Sequence, residues 1–568
     1  MLQLLGPGCF GIQAAMIENI NEVLARSPNA SRKVEELINR RDSELVEIIP
    51  IIDEWAHRYA EFDSRLSKRS TEQVEKTAGL LRDVDLEGLT KQLNLVLQQD
   101  TEQTHGGAQI AADSFNVGES YELQFQSSNA LPFLEKAFSI HPDIAEYGFS
   151  YASALSAQNN LAPAVRAYEQ VLGVAKPSRA LVSSSDQPLF AANWAALGDL
   201  YARLERPNDA TKADEKSLLI YRGLAKEDSK YQPSVSTILD KLGHLYVANS
   251  NSGAGEKAYQ EALGLDREMA RINPIAFQLS VAQTLTNLGN FYRDTKQSKL
   301  ALPAYEEALQ LDRNMAATNP PVYQAHVVSD LNNLAIFYRG TLRIADAEEA
   351  LQEALAITRD RANDDTATYK PLLATTLYNL ANLYFETDRK KAAAQAYREA
   401  LSIRRELAQY NPTRYKPALT EAQYRMAVFD MDAGRGKEAE QALLEVCSTY
   451  TELQKEEPAS YQPRLAVALL QLGSLREQGG RLTAAEGDFE QALTIYRGLA
   501  TISPQAYQPS LAKTLNNLGN LYAKTHRVKE AERSFREALA IRWGLAKFNP
   551  AYQDDVSTTL HDWAAMYK

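Results

Sequence analysis

Cysteine is almost absent: Cys9 and Cys447 are the only two in 568 residues. Two thiols so far apart supply neither a disulfide framework nor a thiolate metal set, and a reducing cytoplasm is the expected home. The seven histidines do not cluster, so no metal site is expected from them. No run approaches 18 consecutive apolar residues, which excludes a transmembrane helix of ordinary length. The opening M-L-Q-L-L-G-P-G-C-F-G lacks a basic n-region and a long apolar run, so no signal peptide is expected. Excess positive charge is missing too, since the net charge is −12, and this argues against general nucleic-acid binding. Residues 1–105 hold 18 Asp and Glu against 12 Lys and Arg. That net of −6 is half the total and leaves the rest close to neutral.

Catalytic signatures are equally sparse. Gly6, Gly8 and Gly11 follow no strand, and S-G-A-G-E-K at 252–257 lacks the G-x4-G-K-[ST] of a phosphate loop. A Cys–His nucleophile needs a cysteine in a defined turn with a matched histidine. Cys9, in the opening stretch, is a poor nucleophile candidate, and Cys447 reads as a small buried apolar residue on a helix. No catalytic residue, cofactor or metal ligand is therefore expected.

What the chain has instead is a period. A short motif begins at Leu197, Leu242, Leu288, Leu334, Leu380, Met426, Leu472, Leu518 and Trp563, at steps of 45 or 46 residues. It reads L-G-N-F-Y at Leu288, L-A-N-L-Y at Leu380 and L-G-N-L-Y at Leu518. A fixed period of this size marks stacked repeats. Leu285, Leu288, Phe291 and Tyr292 share one helical face, and a second helix carries Ala301, Tyr305, Ala308 and Leu309. Alanines recur 13 residues after the motif start (Ala210, Ala301, Ala347, Ala393, Ala439, Ala485, Ala531) and 20 after it (Ala262, Ala308, Ala354, Ala400, Ala492, Ala538). These are the expected close approaches between helices. Pro274, Pro320, Pro412, Pro458, Pro504 and Pro550 are expected to stop each second helix. The aromatics that follow, from Tyr231 to Tyr552, are expected to plug the space between repeats. The unit at Met426 departs from the pattern, with Asp430 for Tyr and Val446 for Ala, and predicts local loosening or a hinge.

Trp194, Leu197, Gly198, Tyr201 and Ala210 fit W-x2-L-G-x2-Y…A, and the chain resembles the tetratricopeptide repeat. Two early units, at Val117–Tyr121 and Tyr151–Leu155, match its usual short period, and the later ones are 12 residues longer. Phrases such as T-L-N-N-L-G-N-L-Y-A-K resemble the long repeats of kinesin light chains and of bacterial arrays attached to signalling ATPases and caspase-like proteases. The resemblance implies an all-α solenoid, a right-handed superhelix of about ten helix pairs over 116–568, with extended helices in the long units. It implies a partner that is a protein or peptide, with no nucleic acid and no membrane. Residues 553–568 are expected to form a capping helix with Leu560, Trp563 and Tyr567 facing inward.

Residues 1–100 lack the period and predict a small helical domain, with helical patterns over 12–27, 31–66, 69–84 and 87–99. Residues 101–115, with Gly106 and Gly107, are expected to be a linker.

The first helix of each unit should line the concave face of such a stack. Inward positions then hold Asn287, Asn290 and Arg293 in one unit and Asn332, Asn333 and Arg339 in the next. Asn379, Asn382, Phe385 and Arg425 follow, then Lys513, Asn516, Asn517 and Asn520. Asparagine can bond the backbone of an extended peptide and arginine can grip a carboxylate. Asn290, Asn333 and Asn379 are expected to form one ligand-facing strip. The alternative is structural: such asparagines can instead bridge neighbouring helices. Two functions stay open, a scaffold or adaptor that binds a partner in its groove, and a regulatory subunit that controls a separate protease, nuclease or ATPase. The sequence leaves the oligomeric state open.

Overall fold

The computed structural model describes residues 86–102, 106–124, 126–174, 187–204, 206–455 and 457–567. All regular structure among them is helical. α1 (Leu86–Glu102) precedes ten helix pairs. Two are short: α2 (Gly107–Glu122) with α3 (Ser127–Ile140), and α4 (Ala145–Ala157) with α5 (Leu161–Val174). α6 (Gln187–Arg203) pairs with α7 (Pro207–Glu227), α8 (Gln232–Ala248) with α9 (Ser252–Ile272), and α10 (Pro274–Asp294) with α11 (Ser298–Thr318). Next come α12 (Pro320–Gly340) with α13 (Ile344–Arg361) and α14 (Thr366–Glu386) with α15 (Lys390–Tyr410). The last pairs are α16 (Pro412–Asp432) with α17 (Gly436–Leu453), α18 (Pro458–Gln478) with α19 (Leu482–Ile502), and α20 (Pro504–Lys524) with α21 (Val528–Phe548); α22 (Gln553–Ala565) follows. The chain divides into two units, Met1–Leu372 and Leu373–Lys568. Each is an all-α solenoid of stacked helix pairs with its own apolar core.

Helix length sets the period. In the most regular long units two 21-residue helices are separated by a three-residue turn, and a single residue leads to the next unit, as at Asn319 between α11 and α12. Helices α2–α5 run only 13 to 16 residues. The prolines expected to stop the second helices do more than that: Pro274, Pro320, Pro412, Pro458 and Pro504 open the following first helices. There the missing N–H costs nothing and the fixed φ is already helical. Asn273 and Asn411 cap those starts, accepting from the N–H of Ala276 and Arg414 at 3.2 and 3.1 Å.

The thirteen recurrent alanines are all fully buried. The motif glycine has an equally local cause. A Cβ at Gly289 or Gly519 would lie 2.7 Å from the ring of Tyr305 or Phe535, which presses onto the first helix from its partner. Of the aromatics expected as plugs, Tyr323, Tyr369 and Tyr461 are buried, whereas Tyr231, Phe277, Tyr415, Tyr507 and Tyr552 are only half-buried.

Eight residues after each motif start, one residue in the left-handed region closes the turn: Ser250, Lys296, Leu342, Asp388, Gly434, Gly480 and His526. Leu342 adopts φ 61° with its side chain 83% exposed. It therefore bears the Cβ strain of that conformation with no compensating burial. Leu342→Gly is expected to stabilise the fold by about 1 kcal/mol, read as a higher urea midpoint. An unchanged or lower midpoint would show that the turn carries no strain.

The departure at Met426 is compensated. In four other units an arginine nine residues after the motif start lies over the motif tyrosine, as Arg206 on Tyr201 and Arg527 on Tyr522, both at 4.4 Å. Here Asp430 replaces the tyrosine and Arg435 forms an ion pair with it. A salt bridge takes the place of the contact with the motif tyrosine, and the same guanidinium lies over the Phe429 ring at 5.2 Å.

Two expectations need correction and one falls elsewhere. Residues 107–115 are not linker: they belong to α2, where Ala111 and Phe115 are buried. Nor does the array start at 116, because α1 packs against α2, with Thr90 Oγ1 donating to Ser120 Oγ at 3.0 Å. The helical patterns expected over 12–84 lie outside the described residues. Among the described residues no helix is long and apolar enough to cross a membrane.

Candidate functional site

Counting from the motif start puts all first helices in one register, and that register shows where the expected site residues go. In the first unit, Asn287 Nδ2 donates to Asp240 Oδ2 of the preceding first helix at 3.4 Å. Asn290 Oδ1 accepts from Tyr305 Oη at 2.8 Å and from Arg293 Nη1 at 3.0 Å. Asn332 is buried and donates to the Val328 carbonyl at 2.9 Å. Asn333 is half-buried without a hydrogen bond, and Arg339 is half-buried.

In the second unit, Asn379 is buried. Asn382 Oδ1 accepts from Tyr397 Oη at 2.6 Å, and Phe385 packs edge-on against Phe429 at 5.7 Å. Arg425 is exposed beside Glu421, with 3.3 Å between Nε and Oε1. Lys513 is exposed and Asn517 half-buried. Asn516 and Asn520 both donate to Asp562 of α22, at 2.7 and 3.1 Å.

The strip expected from Asn290, Asn333 and Asn379 does not share one position. Asn290 lies two residues after its motif start, whereas Asn333 and Asn379 lie one before theirs. Asn290 is held by its own second helix, and Asn379 is buried. The residues with polar atoms still to offer on the first-helix face are those one and five before the motif start. They are Gln283 and Asn333 in the first unit, where the exposed Ser329 hydroxyl donates to the Ala325 carbonyl at 3.0 Å, and Arg425, Lys513 and Asn517 in the second.

The first unit also holds a cavity of about 220 Å³ on this face. α8 and α10 form its walls, with Asp240, Lys241 and His244 on one side and Gln283, Thr284 and Asn287 on the other. Asp266 and Met269 of α9 form its floor, and Phe277 flanks it. Burial pushes Asp240 up to about 7 and raises Asp266 as well. Burial also lowers His244, whose ring meets Tyr259 edge-on at 5.4 Å. Lys241 Nζ is committed to both oxygens of Asp199, each at 2.7 Å. One turn of the stack further on, Asp312 of α11 and Asp330 of α12 lie carboxyl against carboxyl. Thr286 donates to Asp330 Oδ1 at 3.0 Å.

These four acids were not singled out by the asparagine pattern, yet the register marks two of them. Asp266 and Asp312 stand 24 residues after their motif starts, where Tyr450 and Tyr496 stand in later units. Cys447 is buried, and its thiol is pushed up to about 12 by that burial, which leaves it a poor nucleophile. Among the described residues no group of three or more His, Cys, Asp or Glu could hold a metal.

Three tetratricopeptide-repeat family models match the chain, over residues 282–315, 328–406 and 511–542. The chain carries tetratricopeptide repeats over these residues. No curated relative matches it. Among solved structures it is similar to BtubC (BKLC) from P. vanneervenii, at 22% identity and a TM-score of 0.38, over 44% of this chain and 92% of that one. It is also similar to MamA, at 16% identity and a TM-score of 0.28, over 34% of this chain and 96% of that one.

Proposed function

We propose that the protein is a scaffold that binds a segment of a partner protein along its first-helix face. Tetratricopeptide repeats support protein interaction in general, and one observation supports this face in particular. The second helices spend their exposed charges on each other, through pairs such as Arg267–Glu307 and Arg313–Glu353 between successive units. The first-helix face of the same repeats keeps unspent side-chain amides at Gln283, which lines the cavity, and at Asn333. Unspent donors and acceptors on a rigid surface are what an extended segment requires.

Ser329 is exposed on α12 and sits one turn before Asn333, so Ser329→Trp would obstruct the face without disturbing the core. Gln310→Trp, exposed on the second helix α11, is the control. Partners recovered with the wild-type protein from its host are expected to bind the Ser329 variant about tenfold or more weakly, the loss of a few hydrogen bonds. They are expected to bind the Gln310 variant normally. Equal binding by both variants would reject the first-helix face of this unit.

A further inference from the structure

The cavity between α8, α9 and α10 holds more hydrogen-bond acceptors than donors. Asp266 Oδ1 accepts from Ser236 Oγ at 2.6 Å. Thr284 Oγ1 lies 2.8 Å from Asp266 Oδ2 and 3.1 Å from Asp240 Oδ2. A hydroxyl carries one hydrogen, so it serves only one of the two carboxyls. Asn287 approaches Asp240 Oδ2 at 3.4 Å. Asp240 Oδ1 has no solvent-exposed surface and no hydrogen-bond partner. An orphaned, desolvated carboxylate oxygen is costly unless a donor or a cation reaches it.

Nothing already at the cavity supplies that cation. Lys241 is spent on Asp199, and burial disfavours the charged form of His244. α10 brings only the neutral Ser280, Gln283, Thr284 and Asn287 to the lining besides Phe277. Asp214 of α7, which feels Lys241 and Asp199, is buried, raised to about 7, and of the same sign as the cavity acids.

The shape narrows the ligand. At about 220 Å³ the cavity falls below the roughly 300–1,000 Å³ of pockets that enclose drug-sized molecules. It suits one long side chain. Met269 and Phe277 would line the aliphatic stem and offer a ring face to a cation. Two carboxyls on adjacent helices suit a planar fork of donors better than a point charge.

We infer that this cavity receives one arginine side chain of the docked partner segment, its guanidinium bridging Asp240 and Asp266. The inference rests on the reading of the first-helix face as the binding surface and names the residue that face selects.

The test uses the full chain and two peptides, acetyl-Gly-Gly-Arg-Gly-Gly-amide and the same peptide with citrulline, which keeps the shape and removes the charge. Titration calorimetry at pH 7, in two buffers of different ionisation heat, reads affinity and proton release together. The arginine peptide is expected to bind about tenfold or more tightly than the citrulline peptide. It should release protons, because Asp240 is partly protonated at that pH. Asp240→Asn, which keeps the side-chain size, is expected to abolish both the preference and the release. Equal binding of the two peptides, absence of saturable binding by either, or full preference retained in a folded Asp240→Asn protein would each overturn the inference. The peptide comparison stands on the wild-type protein even if that variant fails to fold. A host partner lost by Ser329→Trp but bound undiminished by Asp240→Asn would leave the first-helix face in place and remove only the arginine site.

Discussion

Replacing Asp312 by asparagine is expected to stabilise α11 and α12 at pH 8 and to change them little at pH 4. Asp312 and Asp330 are both buried, at 3% and 4% exposure, and their carboxyls face each other. Asp312 Oδ1 and Asp330 Oδ2 find no donor in their surroundings. One shared proton supplies it, and desolvation together with the neighbouring acid raises Asp312 far above the ordinary carboxylate range. The sign follows from proton binding. Between the unfolded carboxylate value, about 4, and the raised folded values, the folded chain holds protons that the unfolded chain has lost. The stability tied to that proton is complete below pH 4 and is lost as pH rises through the raised values. An asparagine amide donates to Asp330 at every pH and removes the part of the dependence that Asp312 carries, leaving the smaller part that burial gives Asp330. The gain at pH 8 should be on the order of 1–3 kcal/mol, the cost of a buried acceptor left without a donor. Hydrogen exchange of the α11 and α12 amides, compared between variant and wild type at the same pH, reads it locally. Faster exchange in the variant at pH 8 would show that the two acids do not share a proton.

The sequence made the fold legible because its regularity is a packing requirement. Ala301 and Ala308 recur in other units since any larger side chain would hold the paired helices apart, and the motif glycine recurs since Tyr305 or Phe535 needs its space. The long period was readable as longer helices. The role of Pro320 was only half readable, since a residue that ends one helix and one that starts the next look alike when a single residue separates them. The linker was misplaced because Gly106 and Gly107 signal a break, and the break is real but short: Gly106 caps α2 and Gly107 begins it. The candidate site was less legible. An asparagine pattern states which groups can bond, not which are already bonded. Asn290 answers Tyr305, and Asn516 answers Asp562, contacts 15 and 46 residues away. The acids at Asp266 and Asp312 stood in plain sight as the two carboxylates at a position that holds Tyr221, Tyr450 and Tyr496 and Arg404 and Arg542 in other units. Reading repeats down the register, rather than along the chain, finds them.

Deleting residues 553–568 is expected to destabilise α20 and α21 by roughly 3–5 kcal/mol, the usual cost of losing a large buried contact. The cause differs from the one the spacing suggests. Leu560 is 45% exposed and Tyr567 64% exposed, so neither faces inward. At the position of Leu560, three before the motif start, Leu285 packs on the second helix that follows it, against Ala304 and Ala308. Among the described residues no helix follows α22, and Leu560 lies open. The inward face is instead Thr559, Asp562, Trp563 and Met566. Trp563 stacks on Phe535 at 6.3 Å, and Thr559 is fully buried. Arg542, itself buried, donates to Thr559 Oγ1 and to the Asp555 carbonyl. Asp562 holds Asn516 and Asn520. Truncation therefore uncovers an aromatic ring and strands a buried guanidinium and two amides together, and polar loss adds to apolar loss. Asp562→Ala separates the two. It keeps Trp563 in place and should cost about 1–3 kcal/mol, well short of the truncation. The local opening energy of α20 and α21 by hydrogen exchange checks both. If the truncated chain opens no more readily than the intact one, α22 does not hold these helices. If Asp562→Ala costs as much as truncation, the carboxylate and its two asparagines carry the attachment, and the stacked tryptophan adds little.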